Sequence, residues 1–229
     1  MEISGLVKTS LIDYPGKIAA VIFTQGCNFH CGFCHNPDLI NMTKGSLTER
    51  EVIDFLEKRI DTLDGVVITG GEPTVHKDIE LLIKKIKEMG FLVKLDTNGS
   101  DPVKLMSLIE KELVDYIAMD IKGPLDKYSI ITAYMNKKVI QESIKIIMMS
   151  GIKFEFRTTV LPYYHELSDF DQIGELIKGA PLYTIQGFRP QITYNKKLQK
   201  EEIFTTKELE EIKQVMKNYV DKVVIHENL

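Results

Sequence analysis

Tryptophan is missing from this 229-residue chain, and cysteine is scarce and confined to one place. The three cysteines fall within one eight-residue window, Cys27 to Cys34, so no disulfide framework can be built from them. An excess of positive charge is also lacking. Twenty-nine basic residues against thirty-three acidic ones leave a net charge of -4, which offers no broad cationic field to nucleic acid or anionic lipid. No apolar run approaches the roughly 20 residues of a membrane span. The opening stretch MEISGLVKTSLIDYPGK has no basic head followed by an apolar segment, so it does not read as a signal peptide. Fifteen glycines and eight prolines are too few for a low-complexity or collagen-like chain. These absences predict a soluble, cytoplasmic protein with neither a nucleic-acid nor a membrane partner.

An apolar fraction of 44% is enough to bury a real core at this length. No repeat or linker interrupts the chain, and residues 1–229 read as one domain. Short β-branched runs alternate with amphipathic stretches. Strands are predicted at Ile18–Gln25, Gly65–Thr69, Phe91–Leu95, Tyr116–Ile121, Lys153–Val160, Tyr183–Phe188 and Val223–His226. The first helix opens on a capping box, Thr48 with Glu51, and carries Val52, Phe55, Leu56 and Ile60 on one face. The second carries Ile79, Leu82, Ile83, Ile86 and Met89, and Gly90 stops it. Further helices are predicted at Val103–Leu113, Val139–Met149, Phe170–Ile177 and Lys207–Tyr219, with Met89, Met148, Met149 and Met216 filling gaps in the core. Alternation of this kind builds a parallel sheet with right-handed crossovers. The units are too few for an eight-fold barrel, so the expected fold is α/β, a partial, open (β/α)6-like barrel of parallel strands. Chemistry then belongs at the C-terminal ends of the strands.

The cysteines follow the first predicted strand, as Cys27-x3-Cys31-x2-Cys34. Three thiolates that converge from one short loop suit a compact metal centre; the alternative is three small buried apolar side chains. Structural zinc wants four protein ligands, and His30 and His35, each adjacent to a cysteine, are poorly placed to supply the fourth. A 4Fe–4S cluster normally takes one cysteine per iron, so three would leave one iron open, as befits a catalytic centre.

The other strand ends are polar. Gly70-Gly71-Glu72-Pro73 follows the second strand, where paired glycines let a ligand approach the backbone and Glu72 can accept from an ammonium group. A plain tight turn would look the same. Asp96-Thr97-Asn98-Gly99 follows the third strand and is either a turn or a carboxylate aimed into the mouth. Asp120 and Lys122 share a face on the fourth; Asp120 and Asp96 could share a cation, a ribose hydroxyl or Lys122. Arg157, between Phe154–Phe156 and the end of the fifth strand, is a candidate carboxylate clamp or one half of a structural pair. His76, His165 and His226 read as surface or hydrogen-bonded histidines, and 195–202 as a charged, solvated loop. The stretch Gly123–Lys138, with Tyr128 and Tyr134, could touch a partner or be an ordinary loop.

Taken together, the cysteine motif followed by G-G-E-P resembles the radical S-adenosylmethionine (SAM) enzymes, over a core from about residue 11 to 190, with a helix and strand at 206–226 beyond it. The resemblance implies that Cys27, Cys31 and Cys34 hold a 4Fe–4S cluster whose open iron chelates SAM. Reduction would cleave SAM to methionine and a 5′-deoxyadenosyl radical. It further implies that Phe33 contacts the adenine and that Gly70, Gly71 and Glu72 hold the methionine amino group. Within the family, C-H-N-P at Cys34–Pro37, D-T-N-G and D-x-K resemble the glycyl-radical enzyme activases. Asp96 and Asp120 would then lie near the SAM carboxylate, with a monovalent cation beside them, and a flavodoxin- or ferredoxin-type protein would donate the electron. The stretch SLIDYPGKIAAVIFTQGCN is most similar to the activators of anaerobic ribonucleoside-triphosphate reductase. Pyruvate formate-lyase activases more often have D-G-P-G there, and Tyr14 departs from it. The alternatives are activation of a different glycyl-radical enzyme, radical chemistry on a small cofactor precursor, or a non-catalytic iron–sulfur or zinc module.

Overall fold

The computed structural model describes residues 1–227. Eight strands form one sheet in the order of the chain: β1 (Ile3–Ser10), β2 (Ala19–Thr24), β3 (Gly65–Gly70), β4 (Leu92–Thr97), β5 (Tyr116–Asp120), β6 (Lys153–Val160), β7 (Tyr183–Gly187) and β8 (Val223–His226). Strands β2 to β8 are parallel to their neighbours, whereas β1 runs antiparallel to β2. Because β1 and β8 both stay at the edges, the sheet is open. Its central part, β2 to β7, is the expected six-unit pattern, with one flanking strand on either side.

The crossovers carry α1 (Glu49–Glu57), α2 (Ile79–Glu88), α3 (Pro102–Glu110), α4 (Tyr128–Thr132), α5 (Lys137–Met149), α6 (Asp169–Leu176) and α7 (Thr206–Met216). The Thr48–Glu51 capping box forms as predicted, and Thr205–Glu208 makes a second one at α7. Sequence reasoning missed one strand and one α-helix, and the charged loop at 195–202 holds a short 3-10 helix, Lys196–Lys200, that buries Leu198. β1 is polar and half exposed, and α4 lies within the segment read as a loop. Met149 also departs from expectation. It is 87% exposed, because it ends α5 on the face turned away from the sheet, whereas Met216 is fully buried.

Strand alternation splits the sheet into two faces. The outer face presents Ile22, Val66, Ile68, Val93, Leu95, Ile117, Phe156 and Ile185, all fully buried in one continuous core with the apolar stripes of the helices. Each such side chain contributes roughly 1.5–3 kcal/mol by leaving water. The inner face is lined differently. Ala19, Val21, Val67 and Ala118 pack with Tyr14 and Tyr116 in a small separate cluster. The two tyrosine rings lie 5.9 Å apart, so Tyr14 plugs the inner face at this level. The rest of that face is polar, with Lys94, Asp96, Asp120, Glu155 and Arg157 beside Thr184 and Gln186.

Candidate active site

The C-terminal ends of β2 to β6 surround a cavity of about 180 Å³. Cys27, Cys31 and Cys34 line it together with Phe33, and Gly70, Gly71 and Glu72 come from the end of β3. Asp96 from β4, Asp120 and Lys122 from the end of β5, and Arg157 from β6 complete it. Every residue singled out in the sequence for the site therefore meets at one mouth. Phe29, Asn98 and Thr159, which sequence reasoning had not assigned to it, join the wall.

The paired glycines serve packing as well as access. Gly70 has φ 121°, and a Cβ there would lie 2.3 Å from the Thr24 amide nitrogen. A Cβ on Gly71 would lie 2.0 Å from the Gly26 carbonyl oxygen. The Glu72 amide donates to that same carbonyl at 2.8 Å. The G-G-E-P turn is thus pressed against the base of the cysteine loop, and only glycines fit.

Glu72 is 1% exposed and ties two motifs together. Its Oε1 accepts from the Thr74 amide and hydroxyl and from Thr97 Oγ1 (2.7 Å), and its Oε2 accepts from the Asn98 amide (2.6 Å). Burial pushes its carboxyl above the usual range, and these four donors counter that. Asn98 then reaches back, donating from Nδ2 to Asn28 Oδ1 at 3.0 Å and weakly to Cys27 Sγ at 3.9 Å. The Phe29 amide is a second donor to that sulfur, at 3.4 Å.

Burial also raises the thiols, Cys27 to about 12 and Cys31 to about 11, with Cys34 shifted the same way. The thiolate form there requires a cationic centre to neutralise it. Among the described residues, no three His, Cys, Asp or Glu side chains converge on a point that would hold a single ion. Neither histidine supplies a fourth ligand. His35 Nε2 sits 3.1 Å from the Arg189 carbonyl, its ring stacked on Phe188, and His30 lies edge-on to Tyr194. Three thiols on one cavity with no fourth ligand beside them fit a multi-iron cluster, which takes one thiol per iron, better than tetrahedral zinc, which wants four.

The carboxylates of the mouth form an ion network. Arg157 donates from Nε to Asp120 Oδ1 at 2.8 Å and from a terminal nitrogen to Asp96 Oδ2 at 3.1 Å. Lys122 Nζ meets Asp120 Oδ2 at 2.9 Å, and Lys94 Nζ meets Asp96 Oδ1. Burial alone would raise Asp120, but Arg157 and Lys122 overrule it and hold the carboxyl well below its usual range. In this structure Arg157 clamps the protein's own aspartates, the structural pairing foreseen as its alternative role. Lys94 was not foreseen at all.

The backbone of Lys122 is fixed from both sides. Its amide donates to Tyr128 Oη at 3.1 Å, and its carbonyl accepts from His165 Nε2 at 2.9 Å. Tyr128 is fully buried, so it positions the site and offers no partner contact, whereas nearby Ile130 and Met135 are exposed. His165 and His76 are buried and hydrogen-bonded.

Comparison with known proteins agrees with this geometry. A model of the radical SAM superfamily matches residues 21–177, and the chain belongs to that superfamily. It is a radical SAM enzyme, and membership brings with it a 4Fe–4S cluster and SAM. A protein of Methanocaldococcus jannaschii, provisionally named a glycyl-radical enzyme activating enzyme, is 38% identical over 97% of this chain and 95% of its own length. The pyruvate formate-lyase-activating enzyme of Streptococcus mutans is 32% identical over 61% of this chain and 59% of its own. The solved structure of Streptococcus suis SuiB bound to SAM superposes with a TM-score of 0.70 at 15% identity, covering 90% of this chain. This chain spans about half of that one, 49%, so the likeness is one of fold. No helix among the described residues is long and apolar enough to cross a membrane.

Proposed function

We propose that this protein is an activase that installs a glycyl radical on a partner enzyme. The observation that carries the reading is the convergence of three thiols, and no fourth, with the strand-end motifs around one cavity. In it Cys27, Cys31 and Cys34 would hold the 4Fe–4S cluster, one thiol per iron, and leave one iron for SAM. When bound and reduced, the cluster would supply the one electron that breaks the sulfonium C–S bond of SAM, giving methionine and a 5′-deoxyadenosyl radical able to take a hydrogen atom from the substrate.

The chain's own residues bind, orient and exclude water. Phe33, 4% exposed and edge-on to Tyr164, lines the cavity and would contact the adenine there. Gly70 and Gly71 let the methionine end approach the backbone, and Glu72 Oε2, with a single donor, keeps acceptor capacity for an ammonium group. Lys122 and Arg157 present positive charge toward a carboxylate, while Asp96 and Asp120 fix both cations in place. The substrate is a protein, because a radical of this reactivity must be shielded from water and an inserted loop would seal the mouth.

The full-length likeness to the M. jannaschii protein supports the activase reading. The N-terminal stretch around Tyr14 favours anaerobic ribonucleoside-triphosphate reductase as partner, whereas the name of the S. mutans relative favours a pyruvate formate-lyase type. Electrons would come from a flavodoxin- or ferredoxin-type carrier. The test mixes reduced, reconstituted protein with SAM and either candidate partner under anaerobic conditions. A glycyl radical on the reductase, with stoichiometric 5′-deoxyadenosine, is expected. Deoxyadenosine formed only in step with turnover of a small molecule would overturn the reading.

A further inference from the structure

Two carboxylates facing one mouth from neighbouring strands repel unless cations lie between them. Asp96 and Asp120 together have four oxygens, and each oxygen meets a protein cation. Lys94 takes Asp96 Oδ1, Arg157 takes Asp96 Oδ2 and Asp120 Oδ1, and Lys122 takes Asp120 Oδ2. Three protein cations already face these two carboxylates, so the monovalent cation that the family resemblance suggests beside them would meet a surplus of positive charge. The residues present do not fit that ion.

Lys94 is the unusual member. Its side chain is 2% exposed on the inner face of β4, two residues before Asp96. A buried ammonium is costly to desolvate and is retained only where its pairing is good. Besides Asp96, its ammonium lies 5.9 Å from the Tyr116 ring centroid. It lines not the mouth but a second cavity of about 490 Å³, with Glu155 and Thr184, that shares Asp96, Asp120 and Arg157 with the mouth. Whatever Lys94 does for a ligand in the mouth, it does through Asp96.

We propose that Lys94 is a built-in cation: a positioning residue that neutralises and orients Asp96, so that the mouth holds SAM without any alkali metal ion. The SAM arm of the test rests on the radical SAM reading; the stability arm does not. SAM affinity of the anaerobically reconstituted protein is measured by calorimetry in sodium, potassium or choline chloride at one ionic strength. Wild type should bind equally in all three. K94M should bind about 10-fold more weakly in choline, the lower end of the loss seen when a group that orients a metal ligand is removed, and sodium or potassium should restore part of it. K94R should behave as wild type. The thermal midpoint of the cluster-free protein gives the second readout. Alkali cations should raise it over choline for K94M and leave wild type unmoved.

A wild type that binds SAM, or melts, differently with alkali cations than with choline would overturn the proposal. So would a K94M protein as tight as wild type in choline. If K94M does not fold, K94Q keeps a hydrogen-bond donor without the charge and faces the same two criteria. Absence of SAM binding in every salt would instead count against the radical SAM assignment and leave the melting comparison to decide.

Discussion

The two faces of the sheet are built from the same strands to different ends. On the outer face, Ile22, Ile68, Ile117 and Phe156 lie in a continuous apolar core beneath the helices. On the inner face, the same β4 to β6 strands carry Lys94, Asp96, Asp120, Glu155 and Arg157, with little more than the Tyr14–Tyr116 cluster as apolar packing. The outer face stabilises the fold, and the inner face holds charges in positions that packing alone would not choose. Alternation along a strand lets one segment do both: Leu95 faces the helices and Asp96 the mouth.

The sharpest way to separate the faces is to remove a thiol. Cys34→Ala, at a half-buried position, should abolish the iron chromophore and all SAM cleavage, while the melting midpoint of the cluster-free protein stays near wild type. A large fall in that midpoint would mean that the cysteines are core residues. Next, Arg157→Met should leave Asp96 and Asp120 facing one another with fewer partners. Breaking a buried pair costs about 3–5 kcal/mol, so denaturant unfolding should move clearly, and SAM binding should weaken as well. An unchanged unfolding midpoint would show that the network is solvated. On the other face, Ile117→Ala should cost about 2–5 kcal/mol by cavity formation, with SAM affinity unchanged while the protein remains folded. Equal loss of binding would deny that the faces are separable.

The smallest effect concerns pH. Burial pushes the pKa of His76 and His165 below the ordinary histidine value. Below about pH 6.5 the unfolded chain binds protons at both positions that the folded chain does not, so stability falls as the pH drops through that value. Asp120, held low, keeps its contribution throughout this window and loses it only on strong acidification. Glu72 works the other way, since its raised pKa makes protonation favour the folded state. The histidine share is therefore read from a variant. Urea midpoints taken between about pH 7.5 and 5.5 should fall less steeply for His165→Asn than for wild type, and parallel slopes would refute the assignment.

How far the sequence could be read follows the same division. The strands of the outer face announce themselves as β-branched runs, and the motif residues follow from their place just after those runs. β1 escaped because ISGLVKTS contains Gly5 and polar residues and pairs only as a half-exposed edge. Lys94 escaped because a lysine in a strand reads as solvent-facing, and only its shared parity with Asp96 turns it inward. Arg157 was foreseen in the site, but its partner depends on register. β5 and β6 place Asp120 beside Arg157, and no local pattern gives that pairing. Tyr128 and His165 act on Lys122 through its backbone, which leaves no trace in side-chain spacing.

Both the site and its chemistry depend on Cys27, Cys31 and Cys34 holding one iron–sulfur cluster with a coordination position left for SAM. Electron paramagnetic resonance of the reduced, anaerobically reconstituted protein, recorded with and without SAM, tests it most directly. A 4Fe–4S signal whose line shape changes when SAM is added is expected, because the open iron would gain ligands. A signal indifferent to SAM, or a protein that binds zinc tightly and takes up no iron, would contradict it.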